Sequence, residues 1–373
     1  MRGRPRRFFA GRPEECDKQV PRLRRVDCAQ PGIRRVRRGR GFQYVDARGE
    51  PVADPETLQR ICDLVIPPAW TDVWICSIAN GHIQATGTDA AGRRQYRYHD
   101  AWRAARDREK HEHMVEFAAV LPSARKRMLV DLRRTNIDRT RVLAASARLL
   151  DLGFFRIGSE QYAEQNESFG LATLRRDHVT CSRGVLTFDY QAKSGKQRVQ
   201  SVADDELCTL VHALKRRRDK HPELLAFRDG KRWVDIKSND INDYLRDVTG
   251  GDFTAKDFRT WHATVLCAVA LAVSANAPAS ESARKRAVSR AVKEVAHYLG
   301  NTPAVCRSSY IDPRVIDRYN DGITIHGELH RLGADARFGE LATQGPIEAA
   351  VLELLREPVA KADRRRTTLR SAA

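Results

Sequence analysis

Leu299-Gly300-Asn301-Thr302-Pro303, followed shortly by Ser309-Tyr310-Ile311-Asp312-Pro313, is the stretch from which the rest of the chain is read most easily. Upstream of it, residues 279–299 place Ala283, Ala287, Ala291, Val292, Val295, Ala296 and Leu299 on one face, the spacing of an amphipathic helix. Gly300 follows where helices end in left-handed backbone. Thr302-Pro303 then supplies an N-cap and a first helical residue for a new short helix. That helix carries Tyr310 and stops before Pro313, because a residue preceding proline is pushed out of the helical region. Asn301 therefore sits at a corner between two helices, and Tyr310 at the end of the second.

Outward from this corner the pattern is mostly helical. Residues 256–274 contain the apolar run Ala263 to Val273, too short for a bilayer, which needs roughly 20 residues; it predicts a buried core helix. Further helices are expected near 238–249, 204–219, 158–166 and 123–152, with a long charged helix over 101–120 linking two domains. A β segment interrupts at Val179–Gln200, with a hairpin turn near Ser194-Gly195. Residues 41–100 are strand-rich: Gly41 to Val45, Val73 to Ile78, Ile83 to Gly87 and Arg94 to Tyr98 alternate or run apolar, and Asp54-Pro55-Glu56 opens a short helix through Leu64. The expected fold class is α+β. A small β-rich domain (41–103) precedes a larger, mostly helical domain (104–335) with a short β-hairpin sheet, and a C-terminal helix with a basic tail occupies 336–373. Residues 1–40 are arginine-rich and poor in large apolar side chains, and read as a disordered basic arm.

The 373 residues carry a formal net charge of +18, which points to a polyanion, nucleic acid before anything else. The charge is uneven: residues 1–40 hold +10, residues 361–373 hold +4, and the body between them only +4. The tails either attract DNA non-specifically or merely solubilise. The eight cysteines form no CxxC pair and no Cys/His group has zinc-finger spacing. With no signal peptide visible, the expectation is a reduced, cytoplasmic compartment.

Four segments hold residues suited to one chemistry. They are Phe155-Arg156-Ile157-Gly158, with Glu164 to Leu174 after it; Phe188-Asp189-Tyr190-Gln191-Ala192-Lys193-Ser194-Gly195-Lys196; Lys256-Asp257-Phe258-Arg259-Thr260; and the corner with Tyr310. Singly, each is ordinary: a lone Arg or Lys is usually a solvated charge, a lone Tyr usually packing. In this order they resemble the type IB DNA topoisomerases, over roughly residues 42–320, and are most similar to the compact viral and bacterial members. The shared order is an Arg, a Lys in a β-hairpin, K-D-x-R-T, and a Tyr nine residues after a G-[HN]-T-P turn.

The resemblance implies roles. Arg156 and Arg259 match the arginines that clamp the scissile phosphate, and two guanidiniums suit the charge that gathers on its non-bridging oxygens. Tyr310 matches the nucleophile, whose phenolate the arginines would favour. Lys193 matches the general acid that protonates the leaving 5′-hydroxyl; Lys196, three residues on, could compete for that role. Asn301 stands where many members carry histidine, although the bacterial branch carries Asn, and can give the phosphate one uncharged donor. Implied too are a 3′-phosphotyrosyl intermediate, strand rotation to relax supercoils, and religation. Gly92 to Tyr98 matches the strand those enzymes lay in the major groove, giving Arg94, Gln95, Tyr96 and Tyr98 as DNA contacts beside Lys196 and Lys256; the plainer reading is a sheet edge with packed tyrosines. The expected partner is double-stranded DNA, bound by a monomer in the cytoplasm at the nucleoid, with no membrane. No cofactor is expected: there is no GxxxxGK[ST] loop for ATP and no residue cluster suggesting a catalytic metal. A tyrosine recombinase would share the phosphotyrosine chemistry, but usually carries H-x-L-R where this chain has Lys256-Asp257-Phe258-Arg259. A non-catalytic DNA-compacting protein would need none of the ordered set.

Overall fold

A computed structural model describes residues 22–158, 163, 167–274, 280–334 and 339–356. The chain divides into two compact units, residues 1–110 and 111–373.

The first unit is a five-stranded antiparallel sheet of order β2-β1-β3-β4-β5: β1 Ile33–Arg38, β2 Gly41–Val45, β3 Thr71–Ile75, β4 Ile83–Thr88 and β5 Arg94–Tyr98. Helix α1, Pro55–Asp63, begins as expected, with Asp54 accepting from the Thr57 N–H. Its Ile61 packs with Ile33, Val73, Ile75 and Ala85 to form the core on one face of the sheet. β1 corrects the expectation of an arm over 1–40. Residues 33–38, IRRVRR, need only one buried apolar side chain, Ile33, to join the sheet. Arg35 then satisfies backbone groups: its guanidinium donates to the carbonyls of Ile66, Pro67 and Trp70 and lies 4.2 Å over the Phe42 ring. Residues 1–21 of that arm lie outside the described residues.

The boundary between the units falls within α2, Asp100–Leu132. This helix runs through Pro122, where a break was expected. Its buried stripe of Phe117, Leu121, Ala124, Met128 and Leu132 continues across the proline, and packing offsets the lost hydrogen bond. The break comes later, before Asp138, which caps α3, Arg139–Gly153. The helix expected over 158–166 falls mostly outside the described residues. β6 Val179–Ser182, β7 Val185–Ala192 and β8 Lys196–Ala203 form an antiparallel sheet. Next come α4 Asp205–Lys215, a hairpin of β9 Ala226–Asp229 and β10 Arg232–Asp235, and α5 Ser238–Thr249. The unit closes with α6 Ala255–Val273, α7 Glu281–Leu299, α8 Pro303–Ser309, α9 Pro313–Asn320 and α10 Pro346–Arg356.

One core joins these elements, with Phe117, Phe155, Phe188, Phe258 and Trp261 fully buried. The C-terminal helix α10 belongs to it through Ile347, Val351, Leu354 and Leu355 rather than standing apart with a tail. Cys181 on β6 and Cys208 on α4 form a disulfide, which the reading of the cysteines as reduced did not anticipate. Among the described residues, no helix is long and apolar enough to cross a membrane.

Candidate active site

The corner between α7 and α8 forms as its sequence dictates. Gly300 adopts φ 65°; its N–H donates to the His297 carbonyl and the Asn301 N–H to the Ala296 carbonyl, the two bonds that close a helix on a left-handed glycine. Thr302 caps α8 and Pro303 opens it. The Tyr310 N–H still donates to Cys306, so the tyrosine ends the helix rather than following it. Below it, the Thr264 hydroxyl of α6 contacts the Tyr310 carbonyl and accepts from the Asp312 N–H at 3.1 Å. Asp312 in turn caps α9 and holds Arg314 at 2.7 Å. The tyrosine is thus fixed by the caps on either side of it and, from below, by Thr264 of α6.

α6 explains the Lys256-Asp257-Phe258-Arg259-Thr260 segment. Asp257 accepts from the Thr254 N–H and caps the helix; Phe258 enters the core; Lys256 faces solvent; Arg259 points inward, 4% exposed. Arg156 leaves α3 through Phe154, which takes left-handed backbone at φ 55° and turns its carbonyl to the Arg259 guanidinium. The strand-like segment after Arg156 is held by Leu171 and Ala172, whose N–H groups donate to Arg156 and Ile157. Gly158 and Gly170 face each other so closely that a Cβ on Gly170 would lie 2.5 Å from the Gly158 backbone; no larger residue fits.

These elements bring Arg156, Arg259, Asn301 and Tyr310 into one cup. The Asn301 Oδ1 accepts from Arg156 at 2.6 Å and from Arg259 at 3.1 Å. A guanidinium can only donate, so the amide oxygen lies between the arginines and the amide NH2 is turned to the Tyr310 side. The Arg259 guanidinium carbon lies 5.2 Å from the centre of the Tyr310 ring. Burial alone would raise the Tyr310 phenol, but the Arg259 charge, the Asn301 amide and the Arg156 charge together hold it below the ordinary tyrosine value. Burial also pushes Arg259 down, to about 10, which leaves it cationic at neutral pH.

Lys193 stands exposed on the hairpin between β7 and β8, in a short 3-10 turn closed by the Ala192–Lys196 pair, with Gly195 at φ 70°. Lys196 and Lys256 are exposed. Sequence reasoning passed over Arg198. It alternates with Gln200 and Val202 on the inward face of β8, a periodicity that was there to be read, and its guanidinium donates to the Tyr298 carbonyl at 2.5 Å.

In the first unit, β5 divides the four expected DNA contacts. Arg94, Tyr96 and Tyr98 share the exposed face, with the two tyrosine rings stacked 6.0 Å apart. Gln95 is turned to the other face, where its amide donates to Asp89 at 2.9 Å. The described residues contain one group with metal-ligand geometry, His221, Glu223 and Asp235, and it includes none of the residues above.

The family matches span the cup of the second unit, whereas Arg94 to Tyr98 of β5 lie in neither matched range. Residues 99–329 match the family described as eukaryotic DNA topoisomerase I, catalytic core, and residues 41–89 match the bacterial DNA topoisomerase IB N-terminal domain. The chain belongs to the type IB DNA topoisomerases. It is 31% identical to DNA topoisomerase 1B of Acanthamoeba polyphaga mimivirus over 78% of this chain and 88% of that protein. It is 22% identical to the vaccinia virus (strain Copenhagen) DNA topoisomerase 1B and to the monkeypox virus DNA topoisomerase I, in each case over 73% of this chain and 85% of the relative. The recombinase alternative gains nothing from these matches. In this topoisomerase, the first match starts inside the β-rich unit, one residue before α2, and the second covers only β2 through β4 and their connections.

Proposed function

We propose that Tyr310 is the nucleophile with which this type IB topoisomerase nicks one strand of duplex DNA. The phenolate oxygen bonds to the scissile phosphorus, the bond to the 5′-oxygen breaks, and the chain is held as a 3′-phosphotyrosine while the free end rotates. The 5′-hydroxyl then attacks the same phosphorus and releases Tyr310. The phosphotyrosine keeps the energy of the cut bond, so neither ATP nor a divalent metal is required. Arg156 and Arg259 stabilise the charge on the non-bridging oxygens. Lys193 protonates the leaving 5′-oxygen, with Lys196 the competing candidate.

The observation that carries this reading is the Asn301 carboxamide, its oxygen clasped by two arginines and its nitrogen left to the tyrosine. It supports a division of labour that a lone tyrosine does not: cations for the phosphate and a neutral donor for the phenol. On the first unit, Arg94, Tyr96 and Tyr98 are the surface offered to duplex DNA, with Lys196 and Lys256 as backbone contacts on the second. Gln95 joins that set only by leaving Asp89. The enzyme acts as a monomer at the nucleoid.

The test is relaxation of supercoiled plasmid with EDTA present and ATP absent, run beside Tyr310→Phe. The native protein should relax the plasmid, while the variant should bind DNA but form no covalent adduct; relaxation by the variant refutes the assignment. Lys193→Ala should cleave slowly and recover on a substrate whose 5′ leaving group is a thiol. Failure to recover moves the acid role to Lys196 or elsewhere.

A further inference from the structure

The C-terminal end of α7 leaves three carbonyls that its closing glycine does not satisfy, those of residues 298, 299 and 300. Each accepts from a different arginine: Tyr298 from Arg198 at 2.5 Å, Leu299 from Arg259 at 2.9 Å and Gly300 from Arg156 at 2.7 Å. Arg198 and Arg156 lie side by side over Gly300; a Cβ there would meet an Nη of each, at 3.3 and 3.7 Å. None of the three pairs with a carboxylate in any described ion pair, and the buried Nε of Arg259 has no acceptor among the described residues. Burial lowers Arg198 from its ordinary value, and the neighbouring Arg156 charge acts in the same direction. Three cations on the negative end of one helix, whose partners among the described residues are carbonyls, the Asn301 and Gln200 amide oxygens and two phenols, are short of an anion.

We propose that Arg198 is a further DNA-phosphate-binding residue, gripping the phosphate next to the scissile one. This rests on the assignment of Tyr310, Arg156 and Arg259 to the scissile phosphate. Arg156 and Arg259 share Asn301 beside Tyr310, whereas Arg198 does not. Arg198 is displaced along the helix end, and its register partner on β7 is Tyr190, whose buried phenol it also contacts. A guanidinium offset from the pair by one backbone carbonyl suits a neighbouring phosphate of the same strand rather than the same one.

Single-turnover cleavage is measured on duplexes in which one phosphate at a time, at and around the cut, is replaced by a neutral methylphosphonate. For the native enzyme, neutralising the adjacent phosphate should slow cleavage about 10- to 100-fold, the range for one charge-assisted contact. Arg198→Ala should slow cleavage on ordinary DNA by a similar factor and lose its sensitivity at that one position, while the sensitivity at the scissile phosphate persists. Arg198→Lys should keep the positional sensitivity with an intermediate rate. If the alanine variant melts early, Arg198→Gln, which still offers the Tyr298 carbonyl a donor, is read instead. A slowed variant with an unchanged positional profile would show that Arg198 only holds the helix end, and overturns the proposal; so does a native rate in Arg198→Ala. Covalent adduct formation by Tyr310→Phe overturns instead the site assignment on which the proposal rests.

Discussion

Two clusters of inward-pointing arginines lie in the second unit, and they are built on opposite rules. In the first, Arg125 of α2 forks onto Asp151 of α3 at 2.8 Å and onto Glu348 of α10 at 2.5 Å. Arg148 reaches Asp151 and Asp204, and the Trp261 indole donates to Glu348. Every guanidinium there meets a carboxylate. In the second, the partners of Arg156, Arg198 and Arg259 among the described residues are carbonyls, the Asn301 and Gln200 amide oxygens and the Tyr190 and Tyr310 phenols, with no carboxylate. Burial would lower Arg125, yet Asp151 and Glu348 raise it above its ordinary value, whereas Arg259 is pushed down. Neutralised charge ties helices together; charge left short of an anion is available to a phosphate.

The largest expected effects separate the clusters. Arg125→Ala strands two buried carboxylates and should cost about 3–5 kcal/mol of stability, read by denaturant or thermal melting, while the cleavage rate per folded molecule stays near native. Arg259→Ala orphans only carbonyls, for about 1–3 kcal/mol, but should slow single-turnover cleavage by about 10²–10³-fold. The first cluster also sets an acid limit. Burial would raise Asp151, but Arg125 and His262 hold its carboxyl well below the usual range. The stability this confers is present above the ordinary carboxylate value of about 4 and is lost as pH falls through the lowered folded value. Acid unfolding of Arg125→Ala should therefore begin at higher pH than for the native chain. If the two variants exchange signatures, the distinction between the clusters fails.

Asn301→Asp would break the comparison from the other side, converting the second cluster to the rule of the first. A carboxylate between Arg156 and Arg259 would pair with both and cancel one of their two charges. We expect a melting temperature no lower than native and a cleavage rate down by at least about 10²-fold, since donors already paired with an anion no longer serve a developing oxyanion. Near-native cleavage by Asn301→Asp would mean that the uncompensated charge has no role.

How far this contrast was legible in sequence follows the range of the interactions. The α7–α8 corner and the Tyr310 stop are set by residues within a few positions of each other, and they read correctly. Family order added Arg156, which composition alone leaves as one arginine among many. Arg198 escaped because its value depends on the β7–β8 register and on a helix end a hundred residues away. β1 escaped because an arginine-rich strand looks unfolded until its side chains find carbonyls contributed by residues 66–70. α2 was split between residues 120 and 123 because only tertiary packing weighs the buried stripe that crosses Pro122.

The smallest expected effect probes the neutral partner within the charged cluster. If the Asn301 NH2 supports the Tyr310 phenolate, Asn301→Ala removes one neutral donor, worth about 0.5–1.5 kcal/mol, so cleavage near neutrality should fall at most about 10-fold. The loss should depend on pH. In the native enzyme the rate should climb with pH below the ordinary tyrosine value of about 10, because the cup lowers the phenol. In Asn301→Ala that climb should move to higher pH, and the two rates should converge once both phenols are ionised. Asn301→His should behave differently again, adding a limb near pH 6–7 where the imidazole takes its charge. A deficit in Asn301→Ala that is equal at every pH would place the amide on the phosphate oxygens instead, and the division between cations for phosphate and a neutral donor for phenol would have to be redrawn.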